Sequence, residues 1–320
     1  MSKKVKYAIG VDLGATAIKI GMVSQSGEIL KQVTVNTNAE EGPKKVIDNI
    51  KTGIHTLLAG TKFKYKGIGI GCPGIVDPDK GTVENPPNIP GWEKINLGRI
   101  ISKEFSKNVF LDNDANAAAI GELVFGSGRQ LNSFIMVTLG TGVGGGIVID
   151  RKVYHGEYGA AGEIGHITID YKGVKCNCGS IGCIEAYAGN RYLIERVKND
   201  LANHPDSLLI KLSGNNGNSI TPKMIKIAAD KGDEFCKSII VDLGTKLGAA
   251  FASISNILDI STFIIGGGVA GFGKPLFNSV KKSLKERVMT PLKPRVKILP
   301  AQLKNDAGIK GASALVFHRE

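Results

Sequence analysis

The chain has 320 residues, 42% of them hydrophobic, and a formal net charge of +12. That length suits one large or two ordinary domains with an interior of normal apolar content. Only eight of the 41 basic residues are arginine and no basic run exceeds two residues, a scattered lysine surface that argues against a nucleic-acid site and leaves a general attraction for anionic substrates. The first residues, MSKKVKYAIGVDLG, enter a strand-like run with no apolar leader and cleavage site, and no run of about 18 apolar residues follows. The sequence therefore predicts a cytoplasmic protein with no membrane span.

Tyr7 to Leu13 reads as a buried strand and Ala17 to Val23 as a second, joined by Gly14-Ala15-Thr16, with Gly27 marking the next turn. Small residues in that joint let backbone N–H groups approach an anion. Asp12 could then hold Mg²⁺ or a water, and Thr16 could donate to a phosphate oxygen, although a plain hairpin accounts for the same segment. Glu41 to Leu58 has the helical spacing Val46, Ile50, Ile54, Leu57. Gly67 to Gly71 is a buried strand that ends in the tight turn Cys72-Pro73-Gly74. The stretch ENPPNIPGW, with Trp92, is too irregular for an element, and Leu97 to Phe105 is a helix candidate.

Val109 to Asp112 is a short strand leading into Asn113-Asp114-Ala115-Asn116 and a helix of small and apolar residues. Asp114 sits near the cap of that helix, where the dipole favours the anion. Capping is one role for it, and accepting a proton at neutral pH is another. Ser133 to Leu139 is a strand that runs into Gly140-Thr141-Gly142-Val143-Gly144-Gly145-Gly146. This contains G-x-G-x-x-G, but the dinucleotide reading needs a helix next. Ile147 to Asp150 reads instead as a strand, with a turn at Arg151-Lys152, which favours a second phosphate-cradling hairpin. VDLGATAIKIGMV from Val11 aligns with VTLGTGVGGGIV from Val137 at an offset of 126, placing Asp12 on Thr138 and Gly14 on Gly140. A repeat at that spacing predicts two similar α/β halves facing each other across a cleft; two unrelated glycine-rich hairpins are the alternative.

Between Gly162 and Gly189 fall Cys176, Cys178 and Cys183, with His166 ten residues before the first. Three thiols and an imidazole make a closed tetrahedral set for structural zinc. From spacing alone, free thiols or a redox pair remain open, and disulfides are disfavoured in a chain without an export signal. Glu163 and Glu185 bracket the set and are not needed as ligands. Read as a metal-pinned loop, the stretch places Glu163, His166 and Glu185 around a small polar substrate. Cys72 and Cys236 read as ordinary buried thiols.

Arg191 to Leu201 is helical, and the region 203 to 220, with Asn-Asn-Gly-Asn, reads as an exposed loop. Thr221-Pro222 opens a helix with proline at its first position. Phe235 to Leu258 is a long helix rich in Ala and Gly. Thr262 to Ile265 is a strand ending at Gly266-Gly267-Gly268, followed by a helix from Pro275 to Arg287, a seat for a base or ribose. Val296 to Leu299 is the last strand and Ala307 to Phe317 a closing helix.

Together these residues resemble the ROK family of sugar kinases, within the actin/hexokinase-like superfamily, over almost the whole chain. The resemblance is carried by Asp12-Leu13-Gly14-Ala15-Thr16, Asn113 to Asn116, Leu139 to Gly146, Gly162 to His166, the C-x-C-G-x-x-G-C-x-E run from Cys176 to Glu185, and the glycines at 266 to 268. It implies an α/β fold of two ribonuclease-H-like lobes around a central cleft with a zinc loop. The small lobe would be residues 1–113 plus 304–320 and the large lobe 114–303. It implies ATP-dependent phosphorylation of a hexose at the 6-hydroxyl, glucose first, with N-acetylglucosamine, N-acetylmannosamine or fructose as alternatives. Asp114 would be the catalytic base. Gly74, Asn88, Asn113, Asp114, Glu163, His166 and Glu185 would hold the sugar. Asp12, Gly14, Thr16, Thr138, Gly140, Thr141, Gly142, Gly266, Gly267 and Gly268 would surround ATP and Mg²⁺. His166, Cys176, Cys178 and Cys183 would bind Zn²⁺, His166 using one ring nitrogen for the metal and the other for the sugar. Members are commonly homodimers or homotetramers. Sugar-responsive regulators of the family carry a helix-turn-helix before the first phosphate turn, where only eleven residues precede Asp12 here, so an enzyme is expected.

Overall fold

The computed structural model describes residues 5–61, 63–214 and 219–318. Strands β1 (Tyr7–Leu13), β2 (Ala17–Ser24) and β3 (Ile29–Asn36) form an antiparallel meander. Helix α1 (Pro43–Leu58) follows, with proline at its first turn and Val46, Ile50, Ile54 and Leu57 all buried. Burying each such side chain is worth about 1.5–3 kcal/mol. β4 (Tyr65–Cys72) lies parallel to β1. Three short strands, β5 (Ile75–Asp77), β6 (Thr82–Glu84) and β7 (Lys94–Ile95), make a separate sheet. Helix α2 (Leu97–Phe105), β8 (Asn108–Asn113) and α3 (Asp114–Phe125) complete the segment, and β8 pairs in parallel with β4.

The second half begins with β9 (Phe134–Leu139), β10 (Val143–Ile149) and β11 (Lys152–Val153). After a long irregular stretch come α4 (Glu185–Ala188), α5 (Asn190–Leu201), α6 (Leu208–Leu212), α7 (Pro222–Asp230) and α8 (Glu234–Leu258). β12 (Thr262–Gly266), α9 (Lys274–Arg287), β13 (Lys297–Pro300) and α10 (Ala307–His318) close the chain.

The two large sheets run β3-β2-β1-β4-β8 and β11-β10-β9-β12-β13. In each, the last three strands of that order are parallel, since β9 pairs with β12 and β12 with β13 in the manner of β1, β4 and β8. The predicted repeat holds at single-residue register. Asp12 pairs with Gly71 across β1 and β4, and Thr138 pairs with Gly266 across β9 and β12.

By contacts the chain divides into two units, one of residues 1–132, 146–162 and 301–320 and one of residues 133–145 and 163–300. In the first, Ile9, Val11, Ile18, Ile20, Ile68 and Ile70 pack with the apolar face of α1. Helix α10 lies against the sheet where strand glycines let it close in; a methyl at Gly69 would stand 1.8 Å from the Ala312 carbonyl oxygen. In the second, Phe251 of α8 stacks on Phe263 of β12 with centroids 4.3 Å apart.

Several elements differ from the sequence expectation. β3 was not anticipated, because ILKQVTVN at a half-exposed sheet position lacks a clean apolar run. The stretch around ENPPNIPGW contributes β6 and borders β7, and Trp92 is buried there with its Nε1 donating to the Val83 carbonyl at 3.2 Å. The region 203–220 is not wholly an exposed loop. Ser207 caps α6 and Leu209 is fully buried, while Asn215, Asn216, Gly217 and Asn218 lie outside the described residues. Helix α8 is, among the described residues, long and apolar enough to cross a membrane, with 56% of its most apolar window buried. Packing marks it as a core helix: a methyl at Gly248 would stand 2.5 Å from Cβ of Ser283 on α9.

Candidate active site

In the first unit the candidate residues Asp12, Gly74, Asn113 and Asp114 lie at or just beyond the ends of the parallel strands β1, β4 and β8. Asn113 caps α3: its Oδ1 accepts the Ala115 N–H at 2.9 Å and its Nδ2 donates to the Gly74 carbonyl at 3.1 Å. Asp114 is therefore the first residue of the helix rather than its cap, and its Oδ1 also accepts the Ala115 N–H, at 2.7 Å. The residue is exposed in the first turn of the helix, the end that the helix dipole makes favourable for negative charge. Gly74 has φ +88°, and a methyl there would stand 2.8 Å from the Glu84 carbonyl oxygen. Asn88 is exposed on the turn between β6 and β7.

Asp12 is the next-to-last residue of β1, opposite Lys19. Burial pushes its carboxyl up from the ordinary value, and Lys19 acts against that. Gly308 lies on it, since a methyl there would stand 2.1 Å from Asp12 Oδ2. The turn is held by the Gly14 N–H on the Ala17 carbonyl at 3.2 Å and the Thr37 hydroxyl on the Gly14 carbonyl at 2.7 Å. Thr16 is exposed. Cys72 and Cys236 are buried, as expected. Burial, reinforced by Asp114, Asp112 and Asp12, pushes the Cys72 thiol far up; burial and Asp233 push Cys236 up to about 12.

In the second unit the turn after β9 holds Gly140, Thr141 and Gly142. The Gly140 N–H donates to the Gly142 carbonyl at 3.0 Å, and the Gly140 carbonyl accepts from Asn190 N–H at 3.0 Å. Gly267 has φ +89°, and a methyl there would stand 2.3 Å from the Leu139 carbonyl oxygen, so only glycine fits. Gly140, Thr141 and Gly268 share a cavity of about 340 Å³ with Asn190 and with Thr221 to Lys223. The expected nucleotide residues Thr138, Gly140, Thr141, Gly142 and Gly266 to Gly268 thus sit in one unit, and Asp12, Gly14 and Thr16 in the other.

The Cys/His stretch belongs to the second unit. The ligand atoms of His166, Cys176, Cys178 and Cys183 all lie within 4.8 Å of one another. Cys178 Sγ and Cys183 Sγ are 3.7 Å apart. Two thiolates bound at about 2.3 Å to one tetrahedral zinc would be about 3.8 Å apart, so the donor set fits that metal. His166 turns Nδ1 toward Cys176 Sγ at 3.8 Å and Nε2 toward Glu163 Oε2 at 3.9 Å. Its two nitrogens therefore serve different neighbours. Burial pushes the Cys183 thiol up to about 12, while the Ser180 backbone N–H holds Cys178 below its ordinary value. The loop is braced by the Asn177 N–H on the Tyr192 hydroxyl at 2.9 Å and the Val174 N–H on the Tyr187 hydroxyl at 3.3 Å. Glu185 follows it, one oxygen accepting the Val143 N–H at 2.9 Å and the other 4.0 Å from Cys176 Sγ.

The expected sugar residues are thus shared out: Gly74, Asn88, Asn113 and Asp114 in the first unit, and Glu163, His166 and Glu185 in the second. Two features escaped the sequence reading. Asp112, fully buried, receives the His155 Nε2 at 2.9 Å. Asn190 and Thr221 to Lys223 complete the cavity at the second turn. Asp112 could have been noted for its place directly before Asn113-Asp114; nothing local signals His155.

The repeated sheets and the inserted cysteine–histidine loop define a duplicated α/β protein. Residues 8–319 match the ROK family, and the chain belongs to it. Glucokinase from Thermotoga maritima is 36% identical over 311 residues, 97% of each chain. The xylose repressor of Caldicellulosiruptor bescii is 33% identical over 321 residues, which cover 99% of this chain and 79% of the repressor. A ROK family glucokinase from Streptomyces griseus, solved in complex with glucose and AMPPNP, superposes with a TM-score of 0.84 at 35% identity, covering 98% of this chain and 99% of that one.

Proposed function

We propose that this chain is an ATP-dependent sugar kinase that phosphorylates the 6-hydroxyl of a hexose, glucose above others. The observation that carries the reading is the Asn113–Asp114 turn, which presents an exposed carboxylate on the first residue of α3. A sugar hydroxyl is a poor nucleophile, and Asp114 accepts its proton as the new O–P bond forms. Gly74, Asn88, Asn113, Glu163, His166 Nε2 and Glu185 are the residues assigned to the sugar hydroxyls. Backbone N–H groups of the two glycine turns receive phosphate oxygens, and the cavity beside Gly268 and Thr221 takes the nucleoside.

Asp12 is the carboxylate that would hold Mg²⁺, which when bound neutralises charge on the transferred group. His166, Cys176, Cys178 and Cys183 would hold Zn²⁺, which supplies rigidity to the loop that aims Glu163 and His166. Support comes from glucokinases 35–36% identical over nearly the whole chain and from the glucose and AMPPNP complex of the Streptomyces griseus enzyme. The reading includes a cytoplasmic homodimer or homotetramer.

ADP release with ATP, screened over glucose, N-acetylglucosamine, N-acetylmannosamine and fructose, tests this. Release that depends on glucose is expected, and release indifferent to every sugar sinks it. The xylose repressor relatives favour one second reading, a sugar-responsive regulator. Sugar-sensitive binding to DNA without sugar phosphorylation would establish that instead.

A further inference from the structure

The carboxylate of Asp112 is wholly buried, a costly state unless its oxygens are matched. Oδ1 accepts the Asn113 N–H and the Asn116 Nδ2, each at 2.9 Å. Oδ2 is met by His155 Nε2 at 2.9 Å. The first two donors flank Asp114 on either side, so Asp112 grips the turn just before and just after the proposed base. His155 comes from a distant segment, 43 residues along the chain. It stands two residues after β11, in the loop that continues to Gly162. That loop is itself held, by the Ala161 N–H on the His155 carbonyl at 3.1 Å and by Gly159, where a methyl would stand 2.8 Å from the Val76 carbonyl oxygen. The imidazole also lines a cavity of about 660 Å³ with Asp77, Glu84, Lys94 and Tyr158.

We infer that His155 is a positioning residue for phosphoryl transfer: through Asp112 it fixes the turn that aims Asp114. This rests on the proposed role of Asp114. With the imidazole gone, a buried carboxylate loses a donor and Asp112 shifts, which loosens its hold on the backbone N–H of Asn113 and the Asn116 amide. The base then samples positions off the reacting oxygen, and small misplacements are costly in rate. The effect falls on turnover and leaves ATP binding alone.

The test compares His155→Ala with His155→Gln, whose amide can still donate to Asp112, by sugar-dependent ADP release well below each variant's thermal midpoint. His155→Ala should lower kcat by roughly 10–100-fold with the KM for ATP within about twofold, and His155→Gln should recover most of the loss. In an Asp114→Asn background, His155→Ala should cost nothing further, because residues acting through one another are not additive. Unchanged kcat in His155→Ala, equal losses in both variants, or losses that multiply with Asp114→Asn would each overturn the inference. If the unmodified protein releases no ADP with any sugar, the kinase reading itself fails and takes this inference with it.

Discussion

Glu185 and Val143 are joined by a hydrogen bond of 2.9 Å from the Val143 backbone N–H to Glu185 Oε2. Within one unit it ties the end of the cysteine loop to the second glycine turn. Gly142 makes room for it, since a methyl there would stand 2.3 Å from that same oxygen. Gly142→Ala should therefore displace the Glu185 carboxylate and raise the KM for sugar roughly tenfold, the cost of about one hydrogen bond, with metal content unchanged. Sugar and ATP titrations of ADP release read this directly. A rise in the KM for ATP alone would assign Gly142 to phosphate binding only.

The metal is tested by elemental analysis. One zinc per chain is expected from the four-donor cluster of His166, Cys176, Cys178 and Cys183. Cys183→Ser should lose zinc and sugar affinity together, because it removes one of the four donors from the cluster that includes His166, the neighbour of Glu163. Full sugar binding in a metal-free preparation would separate the loop from the site.

Asp233 supplies a prediction about stability. It caps α8 through the Cys236 N–H at 2.8 Å and anchors α6 through the Ser207 hydroxyl and the Leu208 N–H, both at 2.7 Å. Burial acts to raise its carboxyl, but these donors outweigh it and hold the group below its ordinary value. A depressed carboxyl contributes stability that is whole above about pH 4, the usual aspartate value, and is lost as pH falls through the lower folded-state value. Asp233→Ala should thus cost about 1–2 kcal/mol at pH 7 and weaken the acid dependence below about pH 4. Parallel urea titrations at pH 7 and pH 3 measure both; an equal cost at the two values would contradict the charge contribution.

Much of the architecture was legible because of how its strands are buried. β1, β4, β9 and β12 lie inside their sheets and read as near-continuous apolar runs closed by glycine. The offset between Asp12 and Thr138 was visible as a sequence repeat and survives as matching strand registers. β3 and β5 to β7 were missed because they are half-exposed or only two or three residues long. At the site, the cysteine spacing and Asn113-Asp114 are local patterns and could be read. The pairing of Asp112 with His155 spans 43 residues and that of Glu185 with Val143 spans 42. Such contacts are made by tertiary folding, and no periodicity in the chain announces them.

The role of Asp114 is tested most directly by the turnover of Asp114→Asn in glucose-dependent ADP release. The replacement keeps the size of the side chain at the first position of α3 and removes its capacity to take a proton. A fall in kcat of roughly 10²–10⁴ is predicted, the usual span for loss of a general base. Near-normal glucose-dependent ADP release by the variant would contradict it.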